Sequence, residues 1–217
     1  MKIKGVFIAA LAVASLAVAG AAAANRYFLT SDHCTGSCGT APYGWVDVVS
    51  GGANTLDFTV SLINGNEFVH TGFDLSFAFD LIGNPTITYS NLTSGWIVVT
   101  SNPQAAGSYS QDGTGTFEYG VAVNGQGGGQ SVPPPLHFDI TAAGLTLASL
   151  EQNANGNFFA ADIISGQNGN SGNVDASVLC TVNCGDITVP EPGSLALLAI
   201  GMLAVAGSRR LRKGVTR

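Results

Sequence analysis

The sequence predicts an all-β protein: an antiparallel β-sandwich of jelly-roll or immunoglobulin-like type, with an N-terminal signal helix and a C-terminal single transmembrane helix. Apolar and polar residues alternate with a period of two through the middle of the chain. Clusters of Gly, Asn, Asp and Pro separate these runs. No amphipathic helical pattern occurs between Asn25 and Thr188. The predicted strands must therefore bury their apolar faces against one another in two layers.

The 217 residues divide into three predicted segments. Residues 1–24 have the pattern of a secretory signal peptide, in which Lys2 and Lys4 precede an apolar core and Ala22–Ala24 offers a cleavage site. Residues 25–188 form the predicted exported domain. Residues 189–217 form a separate C-terminal tail.

Four cysteines in an exported protein predict two disulfides. Cys34 and Cys38 are four residues apart, as are Cys180 and Cys184. In an extended strand such pairs lie about 13 Å apart, so a local bridge requires a turn between its cysteines. Local pairing is favoured, and cross-bridges that join the first strand to the last are the alternative. A zinc site that includes His33 is a further alternative.

The alternating runs predict eight or nine antiparallel strands, each with one apolar face. Asn64-Gly65 marks a tight hairpin turn, after which the return strand opens with Phe68. The run from Trp96 to Val99 is apolar on both faces, which is typical of a covered central strand. The apolar positions of the other runs are Leu56, Phe58, Val60 and Leu62; Phe73, Leu75, Phe77 and Phe79; Ile87 and Tyr89; Phe117, Tyr119, Val121 and Val123; Leu136, Phe138 and Ile140; and Phe158–Ile164, the last strand.

Three stretches between these runs are less regular. Gly144 and Thr146 favour a strand over residues 142–150 rather than a helix. Residues 124–135 contain Gly-Gly-Gly and Pro-Pro-Pro and predict a long surface loop. Residues 165–173, rich in Gly, Asn and Ser, predict a flexible connection.

The domain is strongly acidic. Between Asn25 and Thr188 it has one basic residue, Arg26, and thirteen acidic residues, so its net charge is −12. Such a surface keeps the domain soluble and disfavours binding to nucleic acid or anionic lipid.

No catalytic constellation is visible in the sequence. The histidines His33, His70 and His137 are scattered, and no nucleophile elbow or phosphate-binding loop occurs. The acidic residues are expected at outward strand positions or in turns. The prediction is therefore no catalytic residue, no metal site and no cofactor, although a pair of carboxylates that meet only in space stays open.

Two weaker binding signals remain. Tyr43, Trp45 and Asp47 alternate with Val46 and Val48, so they are candidate carbohydrate contacts if the valines face the core. The segments 111–113 and 169–175 are rich in the Asn and Asp oxygens that hard cations prefer. Neither fits an EF-hand loop, and ordinary turn chemistry explains them.

The tail combines three features in a fixed order. A proline-flanked glutamate is followed by an uncharged run, Leu195–Ala206, which is shorter than the about 20 apolar residues that span a bilayer. Basic residues follow directly and would stay cytoplasmic. The residues that define the pattern are Val189, Pro190, Glu191, Pro192, Arg209 and Arg210.

This tail resembles the PEP-CTERM sorting signal of Gram-negative bacteria, and the resemblance is confined to the C-terminal segment. It implies recognition by an exosortase, transient residence in the inner membrane and delivery to the cell surface or extracellular matrix. The expected function is a structural or adhesive component of a biofilm or exopolysaccharide layer. A carbohydrate-binding module and a glycan-acting hydrolase are the alternatives.

Overall fold

The computed structural model describes residues 24–71, 74–100, 109–125 and 127–185. The predicted signal helix up to residue 23, the C-terminal transmembrane helix and the sorting residues lie outside these ranges. Within them, none of the helical structure is long and apolar enough to cross a membrane.

The described residues are almost entirely strands, as the alternating pattern predicts. The strands are β1 (Ala24–Leu29), β2 (Ser31–Asp32), β3 (Gly44–Gly52), β4 (Thr55–Leu62), β5 (Glu67–Phe68), β6 (Phe77–Leu81), β7 (Thr88–Ser90), β8 (Trp96–Thr100), β9 (Tyr109–Gln111), β10 (Gly115–Phe117), β11 (Tyr119–Val123), β12 (Leu136–Thr141), β13 (Leu150–Glu151), β14 (Phe159–Ile164) and β15 (Ser171–Ala176).

These strands form two principal sheets, and every pairing is antiparallel. The five-stranded sheet has the order β1-β3-β4-β12-β7. The eight-stranded sheet follows the order β2-β15-β14-β6-β11-β8, with β13 paired to β6 and β5 paired to β14. A third element, the β9–β10 hairpin, stands apart from both sheets.

Phenylalanine side chains from the two sheets meet in a shared core. Phe58 of β4 lies with its ring centroid 5.2 Å from that of Phe79 of β6, and 4.8 Å from that of Phe138 of β12. Phe77 of β6 and Phe138 are 6.0 Å apart. Burial of these rings against each other is the main favourable term that holds the layers together. The all-β, antiparallel prediction is confirmed, and the jelly-roll or immunoglobulin-like subtype stays a prediction.

The eight-stranded sheet is covered on its outer face as well, contrary to the expectation of one apolar face per strand. Leu75, Ala78, Phe117 and Ala160 form a second buried cluster on that side. Phe117 comes from the β9–β10 hairpin, which supplies the cover. Consequently every residue of β6 is buried.

The turn at Asn64-Gly65 is present, but the predicted hairpin is wrong. Both residues have positive φ, 59° and 73°, as a tight turn requires. The chain then leaves its sheet, because β5 pairs with β14 through Phe68 and Ile163. Gly166 packs so closely that a Cβ there would lie 2.3 Å from the Gly65 carbonyl oxygen. This contact with the other sheet, rather than the turn type, sets the direction of the chain.

The apolar run from Trp96 to Val99 is not a covered central strand. It forms β8, the last strand in the order of the eight-stranded sheet. Ile97 and Val98 are 43% and 42% exposed, whereas Trp96 is buried in the core. An apolar run does not by itself distinguish an edge strand from a central one.

Two further assignments differ from the sequence prediction. Within residues 142–150, the chain forms a short 3₁₀ helix, Leu147–Ser149, and only Leu150 joins a strand. The segment predicted as a flexible connection contains the start of β15, which pairs with both β14 and β2. The Gly and Asn residues there are compatible with a strand because tertiary pairing overrides weak local propensity.

Candidate functional site

Both disulfides are local. Cys34 is bonded to Cys38, and Cys180 is bonded to Cys184. The Sγ atoms of Cys34 and Cys38 lie near the Asp32 carboxylate, within 4.8 Å. Because these sulfurs are bonded to each other, they are not available as zinc-binding thiolates. His33 Nε2 lies 2.9 Å from Asp175 Oδ2 instead.

Asp32 organises the first disulfide loop. Its carboxylate accepts hydrogen bonds from the Cys34 and Cys38 amides, both at 2.9 Å, and from the Ser37 hydroxyl. Burial acts to raise the pKa of Asp32, but the bonds from Ser37, Cys34, Cys38 and Tyr43 together outweigh it and hold the pKa below its ordinary value. The loop is thus built around a stable carboxylate.

The second disulfide loop is held against β1 by hydrogen bonds with Arg26. The Arg26 Nε and Nη2 atoms each donate to Asp47 at 2.6 Å, and Nη1 donates to the Cys184 carbonyl at 2.7 Å. The Cys180 amide in turn donates to the Arg26 carbonyl at 2.7 Å. These bonds hold the second disulfide loop, at the end of the described residues, against β1.

The predicted carbohydrate platform is not formed. Val46 and Val48 do face the core as expected, but Tyr43 is only 3% exposed and Asp47 only 7%. Tyr43 precedes β3, where strand alternation does not hold, and its hydroxyl lies 3.1 Å from Asp32 Oδ2 and 3.0 Å from the Gly39 carbonyl oxygen. Both groups are therefore already engaged inside the fold.

Trp45 is the only one of the three predicted contacts that keeps substantial exposure. Its ring is half-buried, and the Arg26 guanidinium carbon lies 5.1 Å from the ring centroid. This cation–π contact helps to hold the Arg26 side chain in the position from which it bonds Asp47 and the second disulfide loop. The prediction that all three side chains point outward together is therefore wrong.

A polar cleft of about 400 Å³ lies elsewhere, at the end of β6. Three acidic residues line it: Asp80 of β6, Glu118 between β10 and β11, and Glu151 of β13. Asp80 and Glu151 are paired in register, and the Glu118 amide donates to Asp80 Oδ1 at 2.7 Å. The other lining residues are Gly83, Asn84, Thr116, Gln152, Asn153 and Ala154.

The surroundings of Asp80 in the cleft raise the pKa of its carboxyl group. Burial raises the pKa of Asp80 to about 7, and the nearby Glu118 and Glu151 carboxylates act in the same direction, against the opposing hydrogen bond from the Glu118 amide. A carboxyl group with a pKa near neutrality, beside other carboxylates in a cleft, is suited to proton transfer. The expectation that acids lie mostly outward is wrong here, since Asp80 and Glu118 are both buried.

A second pair of carboxylates meets across the outer face of the five-stranded sheet. Asp57 of β4 lies opposite Asp139 of β12. Burial raises the pKa of Asp57, and the Asp139 charge adds to the effect while His137 opposes it. Asp139 also accepts a hydrogen bond from Asn91. Because this pair lies on a strand face rather than in the cleft, we treat it as part of the sheet surface.

Neither carboxylate group was visible as a motif. Their members come from segments separated by 33 to 82 residues. The one sequence signal was that Asp80 and Asp57 occupy polar positions in strongly apolar strands. That signal marks an outward position, and it carries no information about what covers that position.

The comparisons with known proteins bear on the tail alone. The family model of the PEP-CTERM protein-sorting motif matches residues 188–210. No curated protein and no solved structure matches the chain. The match begins three residues after Gly185, where the described domain ends at the loop held by Arg26. The C-terminal segment is therefore a PEP-CTERM protein-sorting motif, which implies processing by an exosortase and export to the cell surface or extracellular space.

Proposed function

We propose that the protein is a structural or adhesive component of a biofilm or exopolysaccharide layer, anchored only transiently in the inner membrane of a Gram-negative bacterium. The observation that carries this proposal is the sorting motif at residues 188–210, joined directly to a disulfide-bearing β-domain. Disulfides persist in oxidising compartments outside the cytoplasm. The signal peptide at residues 1–24 would start the same route.

The charge of the domain supports a place in a hydrated matrix. A net charge of −12 between Asn25 and Thr188 keeps copies of the domain apart and soluble, and it attracts counter-cations that also bind acidic polysaccharides. The doubly covered sheet and the two local disulfides favour a rigid unit. Rigidity suits a scaffold.

The test separates export from matrix function. Cells would carry one of three chains: the natural chain, a variant with Leu195–Ala206 replaced by polar residues of equal length, or a control in which the same apolar residues are reordered. We expect the natural and reordered chains at the surface or in the matrix, with the tail cleaved in mass spectra. The polar variant should be retained and biofilm mass should fall.

Unchanged export of the polar variant would overturn the sorting step. Normal export with no change in biofilm mass on deletion of the gene would overturn the matrix role alone. An intact Arg217 on an inner-membrane protein would show a permanent anchor instead.

Glycan hydrolysis is a second candidate, favoured by the cleft around Asp80. A carboxyl group with a pKa of about 7 is half protonated at neutral pH and can donate a proton to a leaving oxygen. Glu118 or Glu151 would then act as the second carboxylate that such hydrolysis requires. The amide of Asn84 would contact sugar hydroxyl groups, whereas the Asn153 amide is already bonded to Thr114, Asn155 and Asn157.

Release of reducing ends from the producing strain's own exopolysaccharide tests this candidate. The D80N variant preserves the oxygen that accepts the Glu118 amide but cannot donate a proton, so we expect at least about a hundredfold loss of rate. D57N, on the other sheet, is the matched control. Absence of any hydrolysis by the natural chain would reject the candidate and leave the matrix role standing.

A further inference from the structure

The fold brings together two Asn- and Asp-bearing segments, of which the contacting residues Asp112 and Asn173 are 61 residues apart in sequence. The first is the turn between β9 and β10, which contains Asp112 and Gly113; the second is β15. Asn173 Nδ2 donates to the Asp112 carbonyl at 3.4 Å. Gly113 lies so close to His33 that a Cβ there would be 2.3 Å from His33 Nδ1. The turn, His33 and β15 therefore pack against one another.

Two side-chain oxygen atoms of β15, in this region of contact, have no partner among the described residues. Asn173 and Asp175 are two residues apart on β15, so their side chains point to the same face of the sheet. The two residues are 1% and 2% exposed. Oδ1 of each is buried and accepts no hydrogen bond from any described residue. A buried acceptor without a partner is destabilising, and the cost is larger for a carboxylate.

The basic group beside Asp175 is His33, whose Nε2 lies 2.9 Å from Oδ2 and leaves Oδ1 without a partner among the described residues. Arg26 is the one Lys or Arg between Asn25 and Thr188, and its guanidinium binds Asp47. Asp162 of β14, opposite Asn173 in register, adds a further buried acid whose oxygens accept from Thr71. His33 faces Asp175 with Nε2 only. A bound metal ion would satisfy the two oxygens and supply positive charge at the same time.

We propose that Asn173 and Asp175 bind Ca²⁺ through their Oδ1 atoms, with the Asp112 carbonyl as a third oxygen ligand. Oxygen ligands of mixed type suit Ca²⁺, which tolerates irregular geometry, whereas Mg²⁺ requires a near-octahedral site. Zn²⁺ prefers nitrogen and sulfur ligands. Ca²⁺ would tie the β9–β10 hairpin, and with it Phe117 of the outer cluster, to the eight-stranded sheet. This inference does not depend on the proposed matrix role.

The experiment uses the full chain, purified in detergent and stripped with a chelator. Ca²⁺ alone is titrated by calorimetry, with Mg²⁺ in a parallel titration. We expect saturable Ca²⁺ binding with a Kd of roughly 0.1–1 mM, the range of extracellular modules, and at least tenfold weaker Mg²⁺ binding. D175N should weaken Ca²⁺ binding at least tenfold, and D57N, which removes a carboxylate from the other sheet, should leave it unchanged.

N173A is the second variant, in case D175N does not fold, and it should also weaken binding. A rise in the thermal midpoint on adding Ca²⁺ should accompany binding in the natural chain and in D57N. The proposal is overturned if the natural chain shows neither heat nor a midpoint shift at Ca²⁺ tenfold above that range. It is equally overturned if N173A and every folded D175N preparation bind Ca²⁺ like the natural chain.

Discussion

Replacing Arg26 with alanine tests how much the buried Arg26–Asp47 ion pair contributes to the stability of the domain. The side chains of Arg26 and Asp47 are only 9% and 10% exposed, and two bonds of 2.6 Å join them. Removing one partner of a buried ion pair costs about 3–5 kcal/mol, because the other charge stays buried without compensation. The domain's entire stability is expected to be about 5–15 kcal/mol. R26A should therefore remove a large share of it.

Circular dichroism during thermal and urea unfolding measures this loss. At about 2–4 °C per kcal/mol for a chain of this size, the thermal midpoint of R26A should fall by roughly 6–20 °C. R26K retains the charge but not the two-pronged geometry, so its loss should be intermediate. The double variant R26A/D47A should be more stable than the sum of the single losses predicts, because no buried charge is left behind.

Two results would refute this reasoning. A loss below about 1 kcal/mol in R26A would put the pair in the class of exposed salt bridges. Additive losses in the double variant would show that the two side chains do not act through each other.

Three further predictions follow from burial, pKa and covalent structure. The pKa of Asp80 is raised in the fold to about 7, so between pH 4 and 7 the folded state binds more protons than the unfolded state and stability falls as pH rises. D80N should flatten that slope in urea unfolding at several pH values, and an unchanged slope would contradict the assignment. F58A should lower the free energy of unfolding by about 3–5 kcal/mol, because the Phe58 ring contacts aromatic side chains of both sheets. I82A, at an exposed position, is the control and should lower it by less than about 0.5 kcal/mol. Equal losses in the two variants would show that the stacked rings are not the core. C180S/C184S should cost about 2 kcal/mol, as the loop-closure relation gives for so short a loop, and a destabilisation comparable with that of F58A would show that the bridge does more than close a loop.

The alternation of β4 illustrates what could be predicted from local pattern. Leu56, Phe58 and Val60 are all buried, and the polar residues between them are not. The period of a strand fixes which side chains share a face, so one strand's pattern is sufficient. The Asn64-Gly65 turn was predictable for the same reason, since its positive φ values depend on those two residues.

The partner of each strand was not predictable in this way. β5 and β8 were placed wrongly because the choice between sheets, or between edge and centre, depends on contacts with residues far away in sequence. The carbohydrate platform failed for a related reason. Alternation gives the face of Asp47, but it does not show that Arg26 lies across it.

The candidate sites differ in the same way: some consist of residues that are neighbours in sequence, and others of residues from distant segments. The sorting motif is a linear signal whose residues are contiguous in sequence, so residues 188–210 could be recognised from the sequence alone. The cleft at Asp80 joins three segments of the chain, and the contact of the Asp112 turn with β15, which carries Asn173 and Asp175, joins two. Sequence also established the shortage of basic residues, which leaves the buried acids without a matching lysine.

By itself, then, the sequence determined the all-β class, the local faces and turns, the acidic balance and the exosortase signal, because each depends on residues that are neighbours or on composition. Only the tertiary structure decided which sheet each strand joins, which carboxylates are buried and which buried oxygens lack a hydrogen-bond partner. Those outcomes arise from hydrogen bonds and burial between distant residues, whose free energies are settled only when the whole domain is packed.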